Sequence, residues 1–161
     1  MTENIYYKKL DWKILPKNIH DELFILAHSS ENIRPTNRRG RDNYHHYLLP
    51  SSIEQWCRSN LPIDHRYVCR LQRFFDTDHI PKHIDQSRTA TFNYLLSETG
   101  PITNWFIEDQ LIESIIIPQH QWYYVNVSIT HSVDQIDQER IALCVFMPHD
   151  SEYPTSSSIK I

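Results

Sequence analysis

The N-terminal third of the chain has the hydrophobic spacing of amphipathic helices. Between residues 16 and 30, apolar side chains recur on one helical stripe, formed by Ile19, Leu23, Leu26 and Ala27. A second helix is predicted over Ser51–Asn60, where the first four residues fit a capping box. The polar stretch 29–47 between the two helices is predicted to be a long loop.

From residue 65 onward the pattern changes to that of short antiparallel strands. The chain becomes rich in Val, Ile, Tyr, Phe and Thr, and prolines and polar clusters separate the apolar segments. The predicted strands cover residues 66–75, 89–97, 112–117, 122–129 and 140–147. We therefore predict a mainly β fold with N-terminal helices, in which a helical layer packs on a β-sandwich or barrel.

The length of 161 residues and the hydrophobic content of 40% fit one domain with a modest core. Within residues 1–161 we expect three parts. Residues 1–62 would form the helical layer and an arginine-rich loop, residues 63–148 the β core, and residues 149–161 a loose tail.

Charge and glycine content exclude several functions. The formal net charge is −4, which argues against nucleic-acid binding as the main function. Only two glycines are present, so the chain has no glycine-rich phosphate loop and no dinucleotide-binding fingerprint. A local exception is the cluster Arg34, Arg38, Arg39 and Arg41, which is interpreted either as a solvated loop or as a segment that recognises an anionic substrate.

Cysteine usage and terminal composition bear on the compartment. The three cysteines, Cys57, Cys69 and Cys144, form no C-x-x-C pair and suggest neither a disulfide framework nor a zinc ribbon. Residues 1–10 lack the apolar centre of a signal peptide, and no apolar run approaches the roughly 20 residues that span a bilayer. We expect a soluble, cytoplasmic protein.

Ten histidines permit a metal site, and spacing selects two of them. In an extended segment His83 and Asp85 point the same way, although an H-x-D triplet alone is common by chance. His131 stands at the end of a predicted strand, 46 residues after Asp85, and Arg140 follows nine residues later at the head of the next strand. Two antiparallel strands joined by the turn between them would place His131 and Arg140 near one end of a barrel.

These residue types have a definite coordination chemistry. Two histidines and one carboxylate form the facial triad of non-haem Fe(II) sites, which leaves three coordination positions open. The guanidinium of Arg140 suits the far carboxylate of an organic diacid. An ion pair with Asp137 or Glu139 is the alternative interpretation of Arg140.

The H-x-D, the distal histidine and the arginine after it resemble the Fe(II)- and 2-oxoglutarate-dependent oxygenases, in their prolyl-hydroxylase-like branch. The resemblance covers about residues 66–147 and includes the segments 88–96 and 100–106. It implies a double-stranded β-helix, the jelly-roll or cupin-like barrel. It also implies that His83, Asp85 and His131 bind catalytic Fe(II) and that Arg140 binds 2-oxoglutarate, with O₂ as the other cosubstrate and succinate and CO₂ as products.

The strand after H-x-D departs from the pattern of some relatives, which place a tyrosine in the cosubstrate pocket. With Arg88 aligned to its family counterpart, Leu95 and Asn93 face inward and Tyr94 faces outward. Asn93 is therefore the candidate for a polar contact to 2-oxoglutarate, and a shift of one residue in register would reverse this assignment. Arg88 itself is a candidate partner that orients Asp85.

The predicted function is that of a dioxygenase that hydroxylates an unidentified peptide side chain or small molecule. One alternative is a non-catalytic, cupin-like protein that binds a metal or ligand. A further alternative is a nucleic-acid-oxidising enzyme that uses the arginine-rich segment to contact phosphates.

Overall fold

The computed structural model describes residues 5–31, 33–34, 43–86, 88–98 and 100–147. Within these residues, eleven strands form two antiparallel sheets and two helices lie on one of them. The helices are α1 (Lys17–Ala27) and α2 (Ser51–Asn60). No helix in this part of the chain is long and apolar enough to cross a membrane.

The larger sheet has seven strands. In spatial order they are β1 (Tyr7–Leu10), β9 (Trp122–Asn126), β6 (Ala90–Leu95), β11 (Glu139–Phe146), β4 (Val68–Phe75), β3 (Tyr44–Tyr47) and β2 (Ile33–Arg34). The smaller sheet has the order β5 (Ile80–His83), β10 (His131–Asp134), β7 (Ile102–Ile107) and β8 (Gln110–Ile116).

The chain passes repeatedly from one sheet to the other, as in a jelly roll. It leaves the larger sheet after β4 for β5 and returns at β6. It leaves after β6 for β7 and β8 and returns at β9, and it leaves after β9 for β10 and returns at β11. This double-stranded arrangement confirms the predicted fold class. Each passage brings side chains of the two sheets to face a common interior.

The outer face of the larger sheet carries the main apolar core. The helical stripe predicted from the sequence is buried there, and α2 contributes Ile53 and Cys57 with no exposed surface. The sheet contributes alternate residues of its central strands, including Leu71, Phe92, Tyr94, Trp122, Ile141, Leu143 and Val145. Burial of this apolar surface accounts for the position of both helices.

The inner face, between the sheets, is less apolar. Two small hydrophobic clusters lie there, one around Phe74 and Val133 and the other around Trp105 and Val125. Buried polar side chains also face this interior, namely Gln72, Asp85, Thr91, Asn93, Thr103, His131 and Arg140. The candidate site lies where these polar groups are concentrated between the two sheets.

The N-terminal part differs from the predicted helical layer. Strands β1, β2 and β3 join the larger sheet, so the stretch 29–47 is not simply a loop. The reason is visible in β3, where Tyr44 and Tyr47 are both buried but lie in different hydrophobic clusters, so that no alternation of apolar and polar residues marks the strand. Arg38, Arg39, Arg41 and the predicted tail 149–161 lie outside the described residues.

The capping box predicted at Ser51 is wrong. The residue that caps α2 is Pro50, whose carbonyl oxygen accepts from the backbone N–H groups of Ile53 and Glu54. Ser51 is already helical, and no side chain caps the helix. The preceding proline fixes an extended backbone immediately before the helix, which moves the start of the helix one residue earlier than the box requires.

Candidate metal centre

Two histidines face each other across neighbouring strands of the smaller sheet. His83 ends β5 and His131 begins β10, and the two are directly paired in the antiparallel register. Directly opposed residues project from the same face of a sheet, and the two ring centroids are accordingly 4.3 Å apart. Strand pairing therefore fixes both imidazoles toward the interior.

The hydrogen bonds of the two rings fix their tautomers. His83 Nδ1 lies 2.7 Å from the Pro81 carbonyl oxygen, and His131 Nδ1 lies 2.9 Å from the Ile129 carbonyl oxygen. Since a carbonyl oxygen only accepts, each Nδ1 carries the proton and donates it, so in the neutral ring the lone pair lies on Nε2. This is the arrangement found where histidines bind metals through Nε2.

Asp85 follows β5 and is bound to the other sheet through its backbone. Its N–H donates to the Val127 carbonyl oxygen at 3.0 Å, just past β9. Its side chain is 4% exposed, and Oδ1 lies 3.5 Å from His83 Nε2. Burial opposes ionisation, but the charge and hydrogen bond of Arg88 and the nearby histidines outweigh it and lower the pKa of Asp85.

The three side chains form a group with metal-ligand geometry. One ligand atom from each of His83, Asp85 and His131 lies within 4.8 Å of the other two, and theirs is the one such group of three or more among the described residues. Burial lowers the pKa of His131, which favours the neutral ring that binds metals. Two neutral imidazole nitrogens and one carboxylate oxygen fit a facial Fe(II) site.

Arg140 is a buried cation on the inner face. It lies near the start of β11, is 7% exposed, and lines the same cavity of about 60 Å³ as the three candidate ligands. Burial lowers the pKa of Arg140, but a guanidinium stays protonated in proteins. Among the described residues no salt bridge joins Arg140 to a carboxylate, neither Asp137 nor Glu139, and Glu139 accepts instead from Arg73 Nε at 2.7 Å.

Asn93 lines this cavity as well, whereas Tyr94 packs in the outer core. The side chains therefore follow the inward and outward directions predicted from the sequence. The Thr91 hydroxyl donates to the side-chain oxygen Oδ1 of Asn93 at 2.9 Å, and the side-chain Nδ2 of Asn93 has no hydrogen-bond partner among the described residues. An amide donor and a guanidinium in one buried cavity favour an anionic ligand with several acceptor oxygens.

The path of the chain to His131 and Arg140 differs from the predicted hairpin. Strand β9 ends at Asn126, the chain crosses to the smaller sheet, and His131 begins β10 rather than ending a strand. Strands β10 and β11 belong to different sheets. His131 and Arg140 line one cavity because the two sheets face each other, and not because their strands pair.

Sequence reasoning missed several residues of the cavity wall. Tyr44 on β3 lies in the stretch expected to be a loop, and its hydroxyl contacts His46 Nε2. His46 Nε2 also accepts a hydrogen bond from the side-chain amide of Gln72. On β4, Gln72 lines the cavity, whereas Arg70 lines a separate one.

Comparison with known proteins supports the fold. A prolyl-4-hydroxylase from Pseudomonas putida aligns at a TM-score of 0.60 and 12% identity, over 90% of this chain and 94% of its own. A prolyl hydroxylase from Trichoplax adhaerens, in complex with a hypoxia-inducible-factor peptide, aligns at 0.58 and 12%, over 89% and 84%. An oxidoreductase of the 2OG-Fe(II) oxygenase family from Burkholderia pseudomallei aligns at 0.54 and 13%, over 83% and 82%.

No protein-family model matches the chain, and no curated protein matches it in sequence. The similarity to the solved oxygenases therefore extends to the fold, and any shared chemistry depends on the residues of the cavity itself.

Proposed function

We propose that this protein is an Fe(II)- and 2-oxoglutarate-dependent dioxygenase. The observation that carries the proposal is the convergence, in one buried cavity, of a His-Asp-His group and an arginine without a carboxylate partner among the described residues. Either feature alone is compatible with several kinds of binding site. Together they match the two requirements of this chemistry, a facial metal site and a cationic pocket for a diacid.

The roles of the residues follow from their atoms. His83 and His131 bind the ion through Nε2, and Asp85 binds it through a carboxylate oxygen. Arg140 binds the far carboxylate of 2-oxoglutarate, and the amide of Asn93 donates to the same molecule. When bound, Fe(II) and 2-oxoglutarate supply the oxidation of a substrate C–H bond by O₂, with release of succinate and CO₂.

The chain contributes orientation and exclusion of water. Backbone carbonyls hold the two rings through Nδ1, and apolar residues of both hydrophobic clusters line the cavity beside its polar groups. A site of this kind keeps the reacting groups fixed and away from bulk water. We propose a peptide side chain or a small molecule as the substrate that is hydroxylated. The solved hydroxylase that holds a peptide is consistent with the first.

Anaerobic titration tests the proposal directly. The full chain is titrated with Fe(II) and then with 2-oxoglutarate by calorimetry, and succinate is measured after O₂ is admitted. We expect one Fe(II) per chain, 2-oxoglutarate binding that depends on the metal, and slow succinate formation without added substrate.

Two results would contradict the proposal. If the chain binds neither Fe(II) nor 2-oxoglutarate, the metal centre is misassigned. If it binds both but forms no succinate, the cavity belongs to a ligand-binding protein of the same fold. Asp78 and His79 supply a control for nonspecific binding, since they form an exposed His–Asp pair outside the cavity and His79→Ala should leave the titration unchanged.

A further inference from the structure

Arg88 lies beside the carboxylate of Asp85 and also lines the cavity. Its Nε donates to Asp85 Oδ2 at 2.6 Å, and the two side chains are only 12% and 4% exposed. The guanidinium carbon also lies 4.4 Å from the centre of the Phe146 ring. A hydrogen bond on one side and a cation–π contact on the other hold this guanidinium in one place.

The backbone around the pair is held as well. The Asp85 N–H donates to the Val127 carbonyl oxygen at 3.0 Å, and the Val127 N–H donates to the Thr89 carbonyl oxygen at 2.9 Å. One residue just past β9 thus holds the chain at Asp85 and immediately after Arg88. The direction of the Asp85 carboxylate is therefore determined by the fold and by Arg88 together.

The two oxygens of Asp85 have different surroundings. Oδ2 is engaged by Arg88, whereas Oδ1 is the oxygen next to His83 Nε2, at 3.5 Å. A free carboxylate can bind a metal through one oxygen or through both. Here one oxygen already accepts a short, charge-assisted hydrogen bond that it would have to weaken in order to bind the ion.

We propose that Arg88 is a positioning residue that restricts Asp85 to a single-oxygen metal ligand, through Oδ1. The consequence concerns the open coordination positions of a six-coordinate ion. Three protein atoms leave three positions open, whereas a carboxylate that binds through both oxygens would leave two. Three are needed if a chelating cosubstrate and O₂ are to bind together. The inference rests on the proposed metal centre.

The test uses Co(II), whose visible absorption responds to coordination number and geometry. Arg88→Gln removes the charge, and Arg88→Met removes it while keeping an apolar stem against Phe146. We expect either variant to bind Co(II) about 10- to 100-fold more weakly, the effect typical of losing a partner that orients a metal ligand. We also expect an altered Co(II) spectrum, because Oδ2 becomes free to bind.

The sign of the affinity change is informative. Removing a cation near the site would by itself strengthen binding of another cation, so weaker binding reports lost orientation and not lost charge. Arg88→Lys should recover part of the affinity, since an ammonium can still donate to Oδ2.

Arg73→Gln is the matched control. Arg73 Nε donates to Glu139 at 2.7 Å in a partly buried pair, and neither residue lines the metal cavity. Breaking this pair should leave Co(II) affinity and spectrum at the wild-type values.

The outcomes separate the two hypotheses. If the wild-type chain binds no Co(II), the metal centre fails and the inference falls with it. If the wild type binds and a folded Arg88 variant lacks either change, the weaker binding or the altered spectrum, the role of Arg88 is overturned while the metal centre stands. Thermal unfolding of each variant establishes which variants are folded.

Discussion

The two faces of the seven-stranded sheet are made by the same strands and have opposite chemistry. On β11, Ile141, Leu143 and Val145 point outward into the apolar core and have no exposed surface. Arg140 and Cys144 lie on the alternate, inner side and are nearly as buried. Because side chains alternate along a strand, one eight-residue segment serves both the core and the cavity.

The difference shows which face stabilises the fold. Apolar burial on the outer face contributes free energy of folding in proportion to area. The inner face buries a cation and a carboxylate, and desolvation of such groups costs free energy even when they are paired. We infer that the outer face stabilises the structure and that the inner face retains polar groups for binding.

The largest effect is expected on the outer face. Leu143→Ala leaves a cavity in the core and should lower the free energy of unfolding by about 2–5 kcal/mol. Metal affinity of the folded protein should be unchanged. Urea unfolding and Co(II) titration measure the two quantities, and Leu111→Ala, at a position 58% exposed, is the control. A loss of metal affinity equal, in free energy, to the loss of stability in Leu143→Ala would show that the two faces are coupled.

The next effect is expected at the metal ligands. His131→Ala should weaken binding of Fe(II) or Co(II) more than about 100-fold, beyond the loss typical of an orienting partner, while the unfolding midpoint of the metal-free protein changes little. Calorimetric titration measures the affinity. Metal binding that persists at the wild-type strength would place the ion elsewhere.

Replacing Arg140 should have opposite effects on stability and on 2-oxoglutarate binding. Arg140→Met removes a buried cation and should raise the free energy of unfolding of the ligand-free protein by about 1 kcal/mol or more. It should also weaken 2-oxoglutarate binding about 10- to 100-fold, the value of a lost charged hydrogen bond. Arg66→Met, at an exposed arginine, should change neither quantity. A less stable Arg140→Met would mean that the cation has a structural partner.

The smallest effect is expected in the pH dependence of stability. Burial lowers the pKa of His131 below its ordinary value of 6.5, so below that value the unfolded chain binds a proton that the folded chain does not. Stability of the metal-free protein should therefore fall as the pH falls from about 7.5 to about 5.5. The fall should be shallower in His131→Gln, as measured by urea unfolding at both pH values. Parallel losses in both proteins would assign the acid sensitivity to other groups.

The sequence predicts those parts of the structure in which the spacing of apolar residues alone shows which side chains are buried. The stripe of α1 and the β-rich segments after residue 65 correspond to observed elements, and the parity of Asn93 and Tyr94 follows from simple alternation along β6. His83 and Asp85 are also found locally, since two residues of spacing suffice to bring them together.

The crossings between the sheets could not be predicted, because the alternation of apolar and polar residues does not change where the chain leaves one sheet for the other. Val125 and Val127 pack in one cluster although the chain leaves β9 between them, so alternation gives no sign of the crossing to the smaller sheet. In β1 the central lysines belong to an edge strand, which natural sheets often protect with charge. Which strands of the two sheets face each other depends on the topology of the whole fold, and the local spacing of residues does not record it.

The backbone bond from Asp85 to Val127 has a consequence for folding. His83 and His131 belong to the smaller sheet, whereas Asp85 is held by a residue just past a strand of the larger one. An ion bound by all three would link chain positions 46 residues apart, from Asp85 to His131. Because the fold assembles the site, its binding free energy would stabilise the folded chain over the unfolded one. The metal would then act as a removable cross-link that closes the barrel.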